Sequence, residues 1–271
     1  MIRISDKSLC CGCSACVNVC PVQCIVMRRD REGFDYPVAN PDRCVGCGRC
    51  EEICPVHSLV TGSRDGHVSV QENDDIRKYA DQVILENGFV YASVYESDGT
   101  AGYAEAGSPD EMEGMTFAGN VQSDSYGTFE EVKYRLEEGV SVLYCCPPCQ
   151  AAGLRSFLGK QYERLVTISG PCKGVGSPGV WKKLQAYGSA ASGEGSDIYD
   201  RLVLQSLMIR PSCLSCPLRT DRNDDSPDEK FLEKRAEFFR GYHSAPEIIP
   251  FMKKYVDRNP FKSFLTMLGL R

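Results

Sequence analysis

Cys10, Cys13, Cys16 and Cys20, followed by Pro21, fall in a C-x2-C-x2-C-x3-C-P run, and Cys44, Cys47, Cys50 and Cys54, followed by Pro55, repeat it. Three thiolates this close can wrap an iron–sulfur cubane in a tight loop, while the fourth reaches beyond it. With two copies, each fourth cysteine can ligate the cubane held by the other run. The expected ligand sets are Cys10, Cys13 and Cys16 with Cys54, and Cys44, Cys47 and Cys50 with Cys20. Zinc is the competing metal, but zinc sites favour two C-x2-C pairs and do not call for the x3-Cys-Pro ending. The spacing therefore predicts two 4Fe–4S clusters.

The chain holds 16 Cys in 271 residues. In a short secreted chain that count would mean a disulfide framework, but no apolar signal-type stretch precedes Cys10. Metal or redox chemistry in a cytoplasmic protein is the expectation. A formal net charge of −6 argues against nucleic-acid partners, whose phosphates call for an excess of Lys and Arg. No run of about 18 apolar residues is present, so no membrane span is expected. A redox partner protein or a small-molecule electron acceptor is the expected partner.

Residues 1–62 carry ten of the cysteines and resemble two-cluster bacterial ferredoxins, an α+β fold. Cys11 and Cys24 lie outside the repeat and read as buried spare thiols. Arg28, Arg29 and Arg31 read as a solvated hairpin tip. His57, His67 and His243 have no companion at ligand spacing and read as structural or surface residues. The polar stretch 63–75 reads as a linker.

From residue 76 to 271 the pattern alternates, predicting an α/β domain with a substantially parallel sheet. Ile76, Tyr79, Ala80, Val83 and Ile84 mark a helix stopped by Asn87-Gly88. Residues 89–95 read as a strand. Thr128 and Glu131 form a capping box for a helix over 129–138. Strand 140–144 leads to Cys145, Cys146 and Cys149, then a helix over 150–158. Strand 165–169 leads to Gly170 and Cys172, then a helix over about 178–187. Residues 188–197 read as a loop and 202–209 as a strand leading to Cys213 and Cys216. Ser226-Pro227-Asp228-Glu229 opens a helical tail. Ligands of parallel sheets sit beyond the strands' carboxyl ends, where Cys149 and Cys172 converge. Cys213 and Cys216 add two more thiols. Cys145 and Cys146 could replace one of these four, or form a redox pair with Cys149, which would make a thiol/disulfide reductase. Absent any second redox centre, the chain would be an electron carrier docking on a reductase.

The segments CPPCQAAGLRSFLG (146–159), SGPCKGVGSP (169–178) and RPSCLSCP (210–217) resemble those of the coenzyme F420 hydrogenase/dehydrogenase beta-subunit family. The stretch 121–139 resembles the segment before the first of them. The resemblance implies an iron–sulfur flavoprotein oxidoreductase that passes electrons between clusters, FAD and a deazaflavin or another acceptor. It also implies a third cluster on Cys149, Cys172, Cys213 and Cys216. The family's Ser-Ser-Gly-Gly run is missing after residues 74–78, as is its D-x-x-x-G-D-x-W-G stretch after Cys216. Glycine-rich loops let backbone approach phosphate, so the chain is without those contacts for FAD or coenzyme F420. The family's Cys-His-Gly is Cys172-Lys173-Gly174 here, and its Gly-Thr is Cys146-Pro147. Lys173 and Cys146 are the catalytic candidates, and Gly170, Lys173 and Gly174 the flavin-binding candidates.

Overall fold

Why the elements form where they do is clearest in the central sheet of the computed structural model. It describes residues 1–56, 68–69, 73–96, 98–117, 119–187, 194–220 and 227–256. Five strands are ordered β3-β7-β6-β4-β5: β3 Val68–Ser69, β4 Phe89–Tyr95, β5 Ala101–Ala106, β6 Val142–Cys145 and β7 Leu165–Ser169. Three neighbouring pairs are parallel and β4–β5 is antiparallel.

Alternation decides the faces. Val90, Ala92, Leu143, Cys145 and Ile168 point to one side and pack on Ile76, Ala80, Val83 and Ile84 of helix α3 (Asn73–Leu85). Tyr91, Val142 and Tyr144 point to the other. They meet Phe129, Val132 and Leu136 of α4 (Thr128–Glu137) and Leu154 and Leu158 of α5 (Pro148–Leu158). The chain steps one way from β3 to β4 and the opposite way from β4 to β6 and β7. Right-handed crossovers then put the connecting helices on opposite faces. A sheet covered on both faces results.

In the N-terminal part, β1 (Ile25–Arg29) and β2 (Asp35–Ala39) form an antiparallel hairpin beside two short helices, α1 (Ala15–Asn18) and α2 (Arg49–Glu52). Its core is not separate. Cys10, Phe34 and Tyr36 join Trp181 of α6 (Pro178–Ala186), Tyr199 of α7 (Glu194–Leu204) and Phe238 of α9 (Glu229–Gly241) in one apolar cluster.

Several elements differ from expectation. Residues 202–209 are not a strand: α7 runs through Leu204, and Ile209 alone makes a bridge to Gly176. Ile198, Tyr199, Leu202 and Val203 recur at helical spacing and are buried, so the helix reaches back to Glu194, inside the stretch read as a loop. The capping box on Thr128 is absent. Gly127 is the cap, and its N–H donates to Asn18 Oδ1 at 2.9 Å, so the N-terminal part completes this helix. The last long helix is capped by Asp228, whose side chain accepts from Phe231 N–H; Ser226 lies outside the described residues, as do His57 and His67. Within the stretch read as a linker, Val68–Ser69 pairs with β7 and α3 begins at Asn73.

The hairpin tip does not stand free in solvent. Arg28, Arg29 and Arg31 side chains are exposed, yet Arg31 O meets His243 Nε2 at 2.6 Å, and Glu32 pairs with buried Arg235. Gly33, at φ 85°, lies so close to Gly179 that a Cβ would sit 2.6 Å from its backbone. Glycine is required at this contact.

One ion pair on the sheet has a pH signature. Arg135 donates to Glu105 at 2.7 and 3.0 Å, and Tyr91 OH donates to the same carboxylate. The Arg135 guanidinium holds Glu105 below its ordinary value of 4.5. A carboxylate with a depressed folded-state value contributes fully above its unfolded value, and the contribution fades as pH falls through the folded value. Glu105→Gln is therefore expected to cost about 1 kcal/mol at neutral pH. In urea titrations, the gap between the variant and the unaltered chain should close as pH falls below 4.5.

Candidate redox site

The duplicated cysteine runs fold alike. Gly12 (φ 70°) and Ser14 (φ 59°) in the first occupy the left-handed region, as do Gly46 (φ 68°) and Gly48 (φ 76°) at the same positions of the second. Each loop curls round a cavity. Cys10, Cys13, Cys16 and Cys54 line one of about 340 Å³, with Ile2, Ile4 and Met27 as apolar walls. Cys20, Cys44, Cys47 and Cys50 line another of about 350 Å³, with Val22 and Ile25. Each cavity thus takes three cysteines from one run and the fourth from the other. Backbone N–H groups point at sulfur: Ile2 donates to Cys50 Sγ and Cys24 to Cys20 Sγ, both at 3.3 Å. Cys24 is buried and lines the second cavity, its Sγ 3.5 Å from that of Cys20.

The two cavities differ in depth. Cys47 is exposed and its neighbour Val45 is 63% exposed, whereas Cys10, Cys13 and Cys16 are buried. Cys16 and Cys50 pack in the same small core, so the cavities adjoin.

A second group of thiols lies deeper. Cys149 opens α5 just after β6, Cys172 follows β7, and Cys213 and Cys216 sit on and after the short turn α8 (Pro211–Leu214). Cys213 and Cys172 are both electrostatic neighbours of Cys149, and Cys216 is a neighbour of Cys213. Cys213 thus links electrostatically to each of the other three. Cys11 joins them: its nearest electrostatic partners are Cys13 of the first run and Cys149 of the deeper group. Read as a spare thiol from sequence, Cys11 instead stands between the two groups. No spacing rule could reveal this, because its partner Cys149 comes from a different layer of the fold.

Cys145 and Cys146, adjacent in sequence, enter different cores. Cys145 packs on the α3 face of the sheet and Cys146 on the α5 face, so the adjacent side chains diverge. Burial pushes Cys145 up to about 12 and Cys146 well above its ordinary value. Neither thiol is primed for nucleophilic attack.

Beyond the carboxyl ends of β6 and β7 opens a cavity of about 520 Å³. Gly170, Cys172, Lys173, Gly174, Cys146 and Pro147 line it, with Ser93 and Ser123. The catalytic and flavin candidates therefore share one space, with Cys172 belonging to both cavity wall and thiol group.

Arg210 fastens the N-terminal part to this site. Wholly buried, it donates to Cys10 O at 2.7 Å, Asp35 O at 2.9 Å and Gln122 Oε1 at 2.6 Å, with Nη2 3.5 Å from Cys10 Sγ. Its guanidinium stacks over Tyr36 at 4.2 Å. Gln122 Nε2 in turn donates to Cys11 O and Gly12 O, at 3.1 and 3.2 Å. Gly153 of α5 is the other close approach: a Cβ there would sit 3.0 Å from Cys13 Sγ. The small residue lets the helix backbone abut the first cysteine run.

Residues 9–58 match the model of the 4Fe-4S dicluster domain. That match makes the N-terminal region an iron–sulfur domain of electron-carrier type, followed by a mixed sheet with helices. No curated protein matches the chain. Among the described residues, no helix is long and apolar enough to cross a membrane.

Proposed function

We propose that the chain is an iron–sulfur oxidoreductase subunit that moves electrons between its exposed Cys44–Cys50 loop and an organic acceptor held beyond the strand ends. The observation that carries this reading is one continuous file of thiols. It runs from exposed Cys47 through Cys50 and Cys16 to Cys13, Cys11 and Cys149, and ends at Cys172 on the wall of the 520 Å³ cavity.

The donor sets suit cubanes. Among the described residues, no three His, Cys, Asp or Glu side chains close round a point as a single ion requires. A cubane asks for wider spacing, because each of its four cysteine sulfurs binds a different iron. The two sets lining the N-terminal cavities would hold two clusters, and Cys149, Cys172, Cys213 and Cys216 a third. Bound clusters would supply one-electron steps, and a bound flavin would join two of them into a two-electron transfer. Lys173 offers positive charge at the cavity wall to a reduced, anionic ring, with Gly170 and Gly174 beside it in the lining. Exposed Val45 and Cys47 offer the surface on which a protein redox partner would dock.

FMN added to anaerobic, cluster-loaded protein should lose fluorescence on binding, and Lys173→Glu should weaken that binding at least about tenfold by reversing a local charge. Absence of flavin binding at high micromolar concentration would remove the acceptor site and leave a carrier that docks on a separate reductase.

A further inference from the structure

We propose that Arg210 is the fixed counter-charge of the junction between the first cysteine run and the deeper thiol group, raising the reduction potential of the centre that Cys10 ligates. The inference rests on the reading of Cys10, Cys13, Cys16 and Cys54 as cluster ligands.

Arg210 is 0% exposed, and its hydrogen bonds go to two backbone carbonyls, one amide oxygen and one thiol. None of these is a carboxylate. A buried cation without an anion is costly, and nearby aromatic faces offset only part of that cost. The anionic character it faces is at sulfur: Cys10 at 3.5 Å, with Cys11 and Cys213 also within its field. Chain geometry makes the placement deliberate. Arg210 N–H donates to Val175 O at 2.9 Å and Pro211 starts α8, so the residue is held three positions before Cys213 while its side chain crosses to Cys10.

Reduction adds one electron, supplied by an external reductant, to a site already ringed by thiolates. A fixed cation close by in a low-dielectric interior stabilises the more negative, reduced form over the oxidised one. Arginine keeps its proton throughout the neutral range, so the effect needs no coupled proton.

The test is a redox titration, followed by electron paramagnetic resonance, of anaerobic full-length protein. Arg210→Gln should lower the potential of one centre. At a fixed solution potential its reduced-to-oxidised ratio should fall at least about tenfold, equivalent to about 59 mV for a one-electron couple. Gln122→Glu, which sets a carboxylate against the intact guanidinium, should lower the same signal without removing Arg210. Arg210→Lys keeps the charge and should hold the potential near that of the unaltered chain, although it loses the forked hydrogen bonds. Iron content reports on the ligand reading separately: unaltered protein without iron in residues 1–62 defeats that reading. Full iron with unchanged potentials in both Arg210→Gln and Gln122→Glu defeats the role of Arg210 alone. An equal fall in Arg210→Lys would also overturn it, assigning the effect to packing.

Discussion

Serine at both Cys149 and Cys213 is expected to stop electron delivery to an acceptor in the strand-end cavity while leaving the two N-terminal cavities loaded. The two residues supply half of the proposed third ligand set, and a cluster site stripped of two thiolates should not retain its metal. The N-terminal cavities take none of their lining cysteines from this pair. Bound iron should therefore fall by about one third, from roughly twelve to roughly eight per chain. Reduction of added FMN by photochemically pre-reduced protein, freed of reductant, should slow by at least about a hundredfold, the loss expected when a required carrier is removed. Unchanged iron and an unchanged rate in the double variant would show that electrons reach the cavity by another path.

The second large effect is structural. Gly33→Val should undock the hairpin from the α/β part. At φ 85° a β-branched residue is disfavoured, and its Cβ would lie 2.6 Å from both the Gly179 backbone and Ser177 Oγ. The left-handed backbone and the overpacking together cost about 3 kcal/mol. The neighbouring contacts would go with it: Ser177 Oγ to Glu32 O, Glu32 to Arg235, and His243 to Arg31 O. Cluster-containing proteins unfold irreversibly as a rule, so the measurement is a rate. Bleaching of visible absorbance in guanidinium should accelerate at least about tenfold in Gly33→Val, and far less in Gly102→Ala, where a Cβ meets nothing within 4 Å.

The most legible parts of the molecule were those set by short-range rules. The x2-x2-x3 spacing of the cysteine runs is a local constraint, and residues 9–58 match the dicluster domain. Strands β4, β6 and β7 were plain from β-branched and aromatic runs followed by Gly- or Pro-marked turns. β5 was not. Its sequence AGYAEA has weak strand propensity, and it is the edge strand beside β4, with a single bridge on its far side to Asp124. Helix α7 was missed because its apolar face begins inside a glycine- and serine-rich stretch that looked like a loop. The docking of the hairpin on α6 and α9 was hidden for another reason. It depends on two glycines, Gly33 and Gly179, that meet only in the fold. Arg210 was read merely as the start of a cysteine motif. Its partners Cys10, Asp35 and Gln122 are distant in sequence, and no periodicity or cap signals such a contact.

The proposed function rests on a file of three iron–sulfur stations leading from an exposed loop to the cavity beyond the strand ends. Its most direct measurement is the iron and acid-labile sulfide content of full-length protein purified without oxygen. About twelve of each per chain is the predicted result, four for each of three cubanes. About eight of each would contradict it, leaving the N-terminal pair with no station at Cys149, Cys172, Cys213 and Cys216.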